Sequence, residues 1–225
     1  MKLCFAKPLA LMAKKEVKAI DSSTEERIKL AAHKLFAQKG YAGTKTRDIA
    51  SEAGINLALL NYYFRSKEKL FELIMREHIQ QFFQGMFQVL NDENTSIQQK
   101  IETLVSRYVD TLMLKPDIPI FVLSELRNSP MNLAENIQKN MQIKNSYFMK
   151  QIKEGISNGT IDNIHPVQLM SNLISLTVFP FIANPILKTI HGIDQEQFNT
   201  FMLERKKLIP LWIAEIIKPK TTINK

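Results

Sequence analysis

The sequence predicts an all-α protein of about nine helices, and three observations carry that expectation. Apolar residues recur at three- and four-residue spacing along nearly the whole chain. No segment shows the strict alternation of a half-buried strand. Only 7 Gly and 9 Pro occur among 225 residues, too few for the turns of an all-β fold. Apolar residues at 45% and charged residues at 23% are ordinary globular composition and exclude a disordered or fibrous chain. At roughly 150 residues per domain, the length allows one large domain or two small ones.

Residues 1–20 read as a tail. Their start looks superficially like a signal peptide, but Lys7 and Pro8 interrupt the apolar run and no small-residue cleavage site follows. Met12 is an equally good initiator. Ser23-Thr-Glu-Glu26 is a capping box that opens the first helix. Ile28, Ala31, Ala32, Leu35 and Phe36 then fall on one face, and Gly40 closes the helix as a left-handed cap. A short helix over about 45–53 points Ile49 and Ala50 inward and ends at Gly54. A second, over 57–64, starts at Asn56, a good N-cap. Two short helices joined at one glycine make a helix-turn-helix arrangement.

A longer helix runs from Lys67 to Leu90, with Leu70, Phe71, Ile74 and Met75 apolar, until Asn91-Asp-Glu-Asn94 breaks it. Further helices are expected at 95–115, 117–127, 130–157, 166–190 and 194–217. Lys115-Pro116-Asp117, Asn128-Ser-Pro130, Ser157-Asn-Gly159 and His191-Gly192 separate them. The longest apolar stretch, Leu173 to Leu187, is shorter than the roughly 20 residues that span a bilayer. It also contains Pro180, Asn184 and Pro185, so it reads as a buried helix and no membrane partner is expected.

Charge is uneven. Residues 1–70 carry 14 Lys and Arg against 7 Asp and Glu, whereas the remaining 155 carry 16 against 15. A basic first third on a neutral remainder is the pattern of a polyanion-binding module attached to something else. The single Cys4 excludes a disulfide framework and a cysteine-based zinc site, and fits a reducing cytoplasm.

Enzyme chemistry finds no support. Gly40-Tyr-Ala-Gly43-Thr-Lys45-Thr46 has two residues where a phosphate-binding loop needs four, and no strand precedes it. His33, His78, His165 and His191 lie far apart without metal-ligand spacing and read as surface or capping residues. Neither a catalytic residue, a cofactor nor a metal is expected.

The stretch Gly40 to Leu70 resembles the signature of the TetR family of bacterial transcriptional regulators, and in particular its AcrR-like, small-molecule-responsive members. Thr46, Arg47, Ile49, Ala50, Ala53, Gly54, Leu60, Tyr63, Phe64, Lys67 and Leu70 fall on the family pattern without gaps, and about fifty residues (22–75) carry the match. The resemblance implies a helix-turn-helix DNA-binding domain over 21–81, a helical ligand-binding and dimerisation domain over 82–218, and a C-terminal tail over 219–225. It further implies that Thr46 and Arg47, with Lys45 beside them, meet phosphates or nearby bases. Asn56, Leu57, Ala58, Asn61, Tyr62 and Tyr63 would enter the major groove, and Lys67 would take a phosphate at the start of the fourth helix. Two positions depart from the family. Leu57 replaces a residue that is often polar or basic, and Asn61 stands where tyrosine is usual. Leu57 suits a thymine methyl and Asn61 an adenine edge.

The resemblance also implies a ligand cavity in the C-terminal bundle, which Met and Phe would suit. Arg107, Tyr108, Phe121, Glu125, Phe148 and Asn172 are the candidates to line it. Residues 166–187 are apolar over more than one face and 194–217 carry an apolar stripe, so the resemblance implies that these two helices pair with those of a second copy. Leu173, Leu176, Phe201, Leu208, Trp212 and Ile216 are the candidate dimer contacts. The expected protein is a homodimeric repressor on a pseudo-palindromic operator in double-stranded DNA, released by an apolar or amphipathic small molecule. A regulator that activates, or one that works without a ligand, stays open.

Overall fold

The computed structural model describes the backbone of residues 9–219 and the side chains of residues 23–219. The described residues form eleven α-helices and one 3-10 turn: α1 (Leu9–Gly43), α2 (Thr46–Glu52), α3 (Leu57–Phe64), α4 (Lys67–Asn91), α5 (Ile97–Leu114), α6 (Ile118–Asn128), α7 (Pro130–Met141), the turn Ile143–Asn145, α8 (Tyr147–Ser157), α9 (Pro166–Ile182), α10 (Asn184–His191) and α11 (Gln195–Ile217). No strand occurs among them. The start of the expected N-terminal tail (1–8) and the end of the C-terminal tail (220–225) lie outside the described residues.

Three helices differ from expectation. The Ser23-Glu26 box does not open the first helix; it lies within α1, which extends back to Leu9 through a segment rich in the strong helix formers Ala, Lys and Glu. The expected helix over 130–157 is two. Gln142 adopts a left-handed conformation (φ 44°, ψ 40°) that ends α7, and the Ser146 hydroxyl then caps α8 by accepting from the Met149 amide at 3.3 Å. The expected helix over 166–190 is also two. Pro185 has no N–H to continue the ladder, and α9 and α10 meet at a 65° bend around Ala183. No single helix among the described residues is long and apolar enough to cross a membrane.

The chain divides into two compact units, Met1–Glu77 and His78–Lys225, with the division inside α4. In the first, Ile28, Ala32, Leu35 and Phe36 of α1 pack with Ile49 and Ala50 of α2, Leu60 and Phe64 of α3, and Leu70 and Ile74 of α4, all nearly inaccessible to solvent. Each of the Ile, Leu and Phe side chains contributes about 1.5–3 kcal/mol by burial. Gly40 breaks α1 at φ 66° and ψ 174°, a region open almost only to glycine. The buried Thr44 hydroxyl secures the break, 2.8 Å from the Gly40 carbonyl and 3.1 Å from that of Leu35. Gly54 turns the chain between α2 and α3 at φ 65°, where a Cβ would stand 3.1 Å from the Arg27 guanidinium. That guanidinium donates to the Ala53 carbonyl at the end of α2.

In the second unit, α5 packs against α9 and α11. Ile101, Leu104, Val105 and Val109 meet Leu169 and Leu173 of α9 and Phe198, Met202, Ile209 and Ile213 of α11 in one core. Lys100, wholly buried, is a core residue that apolar periodicity does not reveal. Its ammonium donates to the carbonyls of Asp92 (2.5 Å) and Thr95 (2.7 Å) and to the Thr95 hydroxyl (2.8 Å), holding the turn between α4 and α5.

Candidate nucleic-acid interface and ligand cavity

α3 is short because it is bounded on both sides. Asn56 accepts from the Leu59 amide at 2.8 Å, and Arg65 leaves the helix at φ 58°. Leu60 and Phe64 anchor its inner face. Asn56, Ala58, Asn61 and Tyr62 are exposed, Tyr62 by 76%, and Leu57 and Tyr63 are half-buried. Lys45, Thr46, Arg47, Leu57 and Asn61 line one shallow concavity, so the start of α2 and the first turns of α3 present a common face.

The charges on that face differ from those behind it. Lys34 pairs with Glu52 at 2.6 Å and Lys39 with Asp48 at 3.6 Å, while Lys29 contacts Glu25, Glu26 and Glu77. Both acids of α2 are thus engaged from α1. Lys45 and Arg47 are exposed and have no ion-pair partner among the described residues. Lys67 is different again: its ammonium donates to the carbonyls of Tyr41 (2.9 Å) and Thr44 (3.0 Å) and rests 4.1 Å from the Tyr41 ring centre. Two of its three N–H groups are spent inside the fold.

The second unit contains a cavity of about 800 Å³, lined almost wholly by apolar side chains of α4, α5, α6, α7, α9, α10 and α11. Phe82, Val122, Leu126, Leu133, Val178 and Phe179 represent its walls. Among the six residues expected to line it, only Tyr108 does. Its ring meets Phe82 edge-on at 4.6 Å, and burial pushes its phenol up to about 12, so the hydroxyl stays protonated. It makes no hydrogen bond among the described residues. Arg107 turns away and donates to the Gly85 carbonyl at 2.8 Å. Phe121 and Phe148 are buried, and Glu125 and Asn172 half-buried, outside the lining.

The sequence reading missed Arg205, the lone charged residue of the lining. It lies four residues after Phe201 and seven before Trp212, on the same helical stripe, which is the signal that was available. His78 is buried on α4 and not a surface residue, whereas His165 caps α9 by accepting from the Val167 amide.

Of the six candidate dimer contacts, Phe201, Leu208 and Trp212 are each more than a third exposed, and Ile216 is half-buried. Leu173 is in the protomer's own core, and Leu176 lines the cavity. Ile174, Phe179 and Leu211 add exposed apolar surface on α9 and α11.

Residues 28–74 match the family described as "Bacterial regulatory proteins, tetR family", and residues 75–194 match "YsiA-like protein, C-terminal region". The chain is 30% identical over 202 residues to the probable HTH-type transcriptional regulator YttP of Bacillus subtilis (strain 168), covering 87% of this chain and 95% of that protein. It is 33% identical over 121 residues to the HTH-type transcriptional repressor KstR2 of Mycolicibacterium smegmatis, covering 48% of this chain and 58% of that one. Its fold resembles that of a transcriptional regulator of the TetR/AcrR family from Thermobifida fusca, with a TM-score of 0.59 and 19% identity over 83% of this chain and 96% of that one.

Proposed function

The chain belongs to the TetR family of bacterial regulatory proteins and is a DNA-binding transcriptional regulator; we propose that it is a homodimeric repressor released from its operator by a small, largely apolar ligand. The observation that carries the ligand-responsive part is the apolar cavity of about 800 Å³ in the C-terminal unit, within the size range of small-molecule sites.

On DNA, Lys45, Thr46 and Arg47 meet phosphates or nearby bases, while Asn56, Leu57, Ala58, Asn61, Tyr62 and Tyr63 lie at the groove. Lys67 supports this face through the Tyr41–Thr44 turn. The exposed apolar stripe of Phe201, Leu208 and Trp212 pairs with a second copy, with Ile216 at its end. Two recognition helices then read the two halves of a pseudo-palindromic operator.

Release is a coupling between sites. α4 supplies Lys67 at one end and Ile79, Phe82 and Phe83 of the cavity wall further along, so it is the element through which a ligand acts. A ligand that binds one arrangement of α4 more tightly weakens DNA binding by the same free energy.

The test is fluorescence anisotropy against DNA from upstream of the protein's own gene and against random DNA, at two salt concentrations. A preference of about a thousandfold or more supports a sequence-specific regulator. Equal affinity of ligand-saturated and ligand-free protein for the operator would overturn the release mechanism.

A further inference from the structure

Arg205 is an unusual wall for a cavity of this kind. Its Nη2 donates to the Leu176 carbonyl at 2.7 Å, and its Nε is buried with no hydrogen-bond partner. The guanidinium lies 5.4 Å from the Phe201 ring and 5.1 Å from that of Trp212, and burial holds its pKa below the usual value. No acid pairs with it among the described residues. The carboxylate of Asp110, facing α11 from α5, is taken by Lys206 at 2.8 Å. The lining itself contains no Asp or Glu.

A partly desolvated cation without an anion is costly, and such groups are ordinarily paired. Here the Arg205 side chain lies in the wall of a space whose other surfaces are nearly all apolar. The other polar side chains of the wall are Ser175 and Tyr108, whose hydroxyl has no hydrogen-bond partner among the described residues. The guanidinium can only donate, and the phenol can donate to the same acceptor. A neutral apolar ligand would leave both as they are, and a cationic one would add repulsion.

We propose that the cavity binds an anionic amphiphile, an aliphatic chain carrying a carboxylate, with Arg205 as its counter-ion, Tyr108 as a second donor available to its polar end, and the chain lying among Phe82, Val122, Leu126 and Val178. This rests on the reading of the cavity as the effector site and specifies the chemistry of the effector. Arg205 selects the head group; the cavity walls accept the chain.

The sequence contains one tryptophan, Trp212, 5.1 Å from the Arg205 guanidinium, so its fluorescence responds to changes around that group. The probes are dodecanoate, dodecanol and dodecyltrimethylammonium below their aggregation limits, titrated into the full-length protein with calorimetry as a check. Dodecanoate binds at least about tenfold more tightly than dodecanol, the span expected for a hydrogen bond to a charged group, and the ammonium binds weakest. In Arg205→Gln the preference for dodecanoate over dodecanol falls to within about threefold while dodecanol affinity is unchanged, and Arg205→Lys restores part of it.

Equal affinity of wild-type protein for dodecanoate and dodecanol, or a preference that survives Arg205→Gln, would overturn the anion site and leave the cavity as an apolar one. Binding of none of the three probes would overturn the effector-site reading together with it. Dissociation of the dimer by Arg205→Gln with the dodecanoate preference intact would instead assign the guanidinium to an acid of the second copy.

Discussion

The Lys67 ammonium rests 4.1 Å from the centre of the Tyr41 ring while donating to the Tyr41 carbonyl, so a residue at the start of α4 holds the turn that precedes α2. The Phe71 ring, 4.7 Å from that of Tyr41 on the other element, completes the attachment. The orientation of Thr46 and Arg47 thus depends on a lysine whose own charge is turned largely inward.

Lys67→Met therefore weakens binding to cognate and random DNA alike and lowers the melting temperature by a few degrees, about 1 kcal/mol for a hydrogen-bonded tie of this kind. The slope of log K against log salt stays close to that of the wild type. A loss of about 0.9 in that slope would show that the ammonium meets a phosphate directly.

Arg47→Ala and Asn61→Ala separate charge from readout. Arg47 is exposed and has no ion-pair partner among the described residues, and its removal lowers affinity for every sequence and reduces the salt slope by about 0.9. Asn61 is neutral and lines the same concavity, so its loss costs about 1–3 kcal/mol at one base position and leaves the slope unchanged. Equal losses on cognate and random DNA for Asn61→Ala would remove it from base recognition.

Trp212→Asp gives monomers. Its side chain is 38% exposed beside Leu208 and Leu211, so the change disturbs the protomer little while placing a charge in the paired face. Light scattering reads the mass directly. A dimer that survives the substitution would put the interface elsewhere.

Tyr108 predicts an alkaline limit. Its folded-state pKa of about 12 lies above the ordinary value of 10.0, so the folded protein retains a proton that the unfolded chain releases. Stability from this group is complete below pH 10 and declines as pH rises from there toward 12, by about 1 kcal/mol at pH 11. Urea denaturation at pH 9 and pH 11 should show wild type losing that much more than Tyr108→Phe. Equal losses would mean that the phenol is not enclosed.

Local signals were legible and collective ones were not. The bounds of α3 at 57 and 64, the Asn56 cap and the Gly54 turn follow from residue types whose backbone preferences are strong. The end of α7 does not, because a glutamine at position 142 gives no sign that it will adopt a left-handed conformation. Leu173 was expected on the outer face of α9 and lies in the core: a helix apolar nearly all round carries no polar face from which to orient it. Lys67 could be placed by its spacing after Phe64, but its carbonyl partners come from a turn more than twenty residues earlier. The cavity is built from seven helices, and of the six residues proposed to line it only Tyr108 reaches it.

The ion pairs between α1 and α2 have a consequence for the speed of association. Lys34 and Lys39 are offset by Glu52 and Asp48, so the strongly basic count of the first third does not surround the module evenly. On the proposed DNA face, the charge of Lys45 and Arg47, unpaired among the described residues, gives the module a direction in the field of a polyanion and would turn it toward the duplex before contact. Added salt then slows arrival far more than it blurs the choice between one sequence and another.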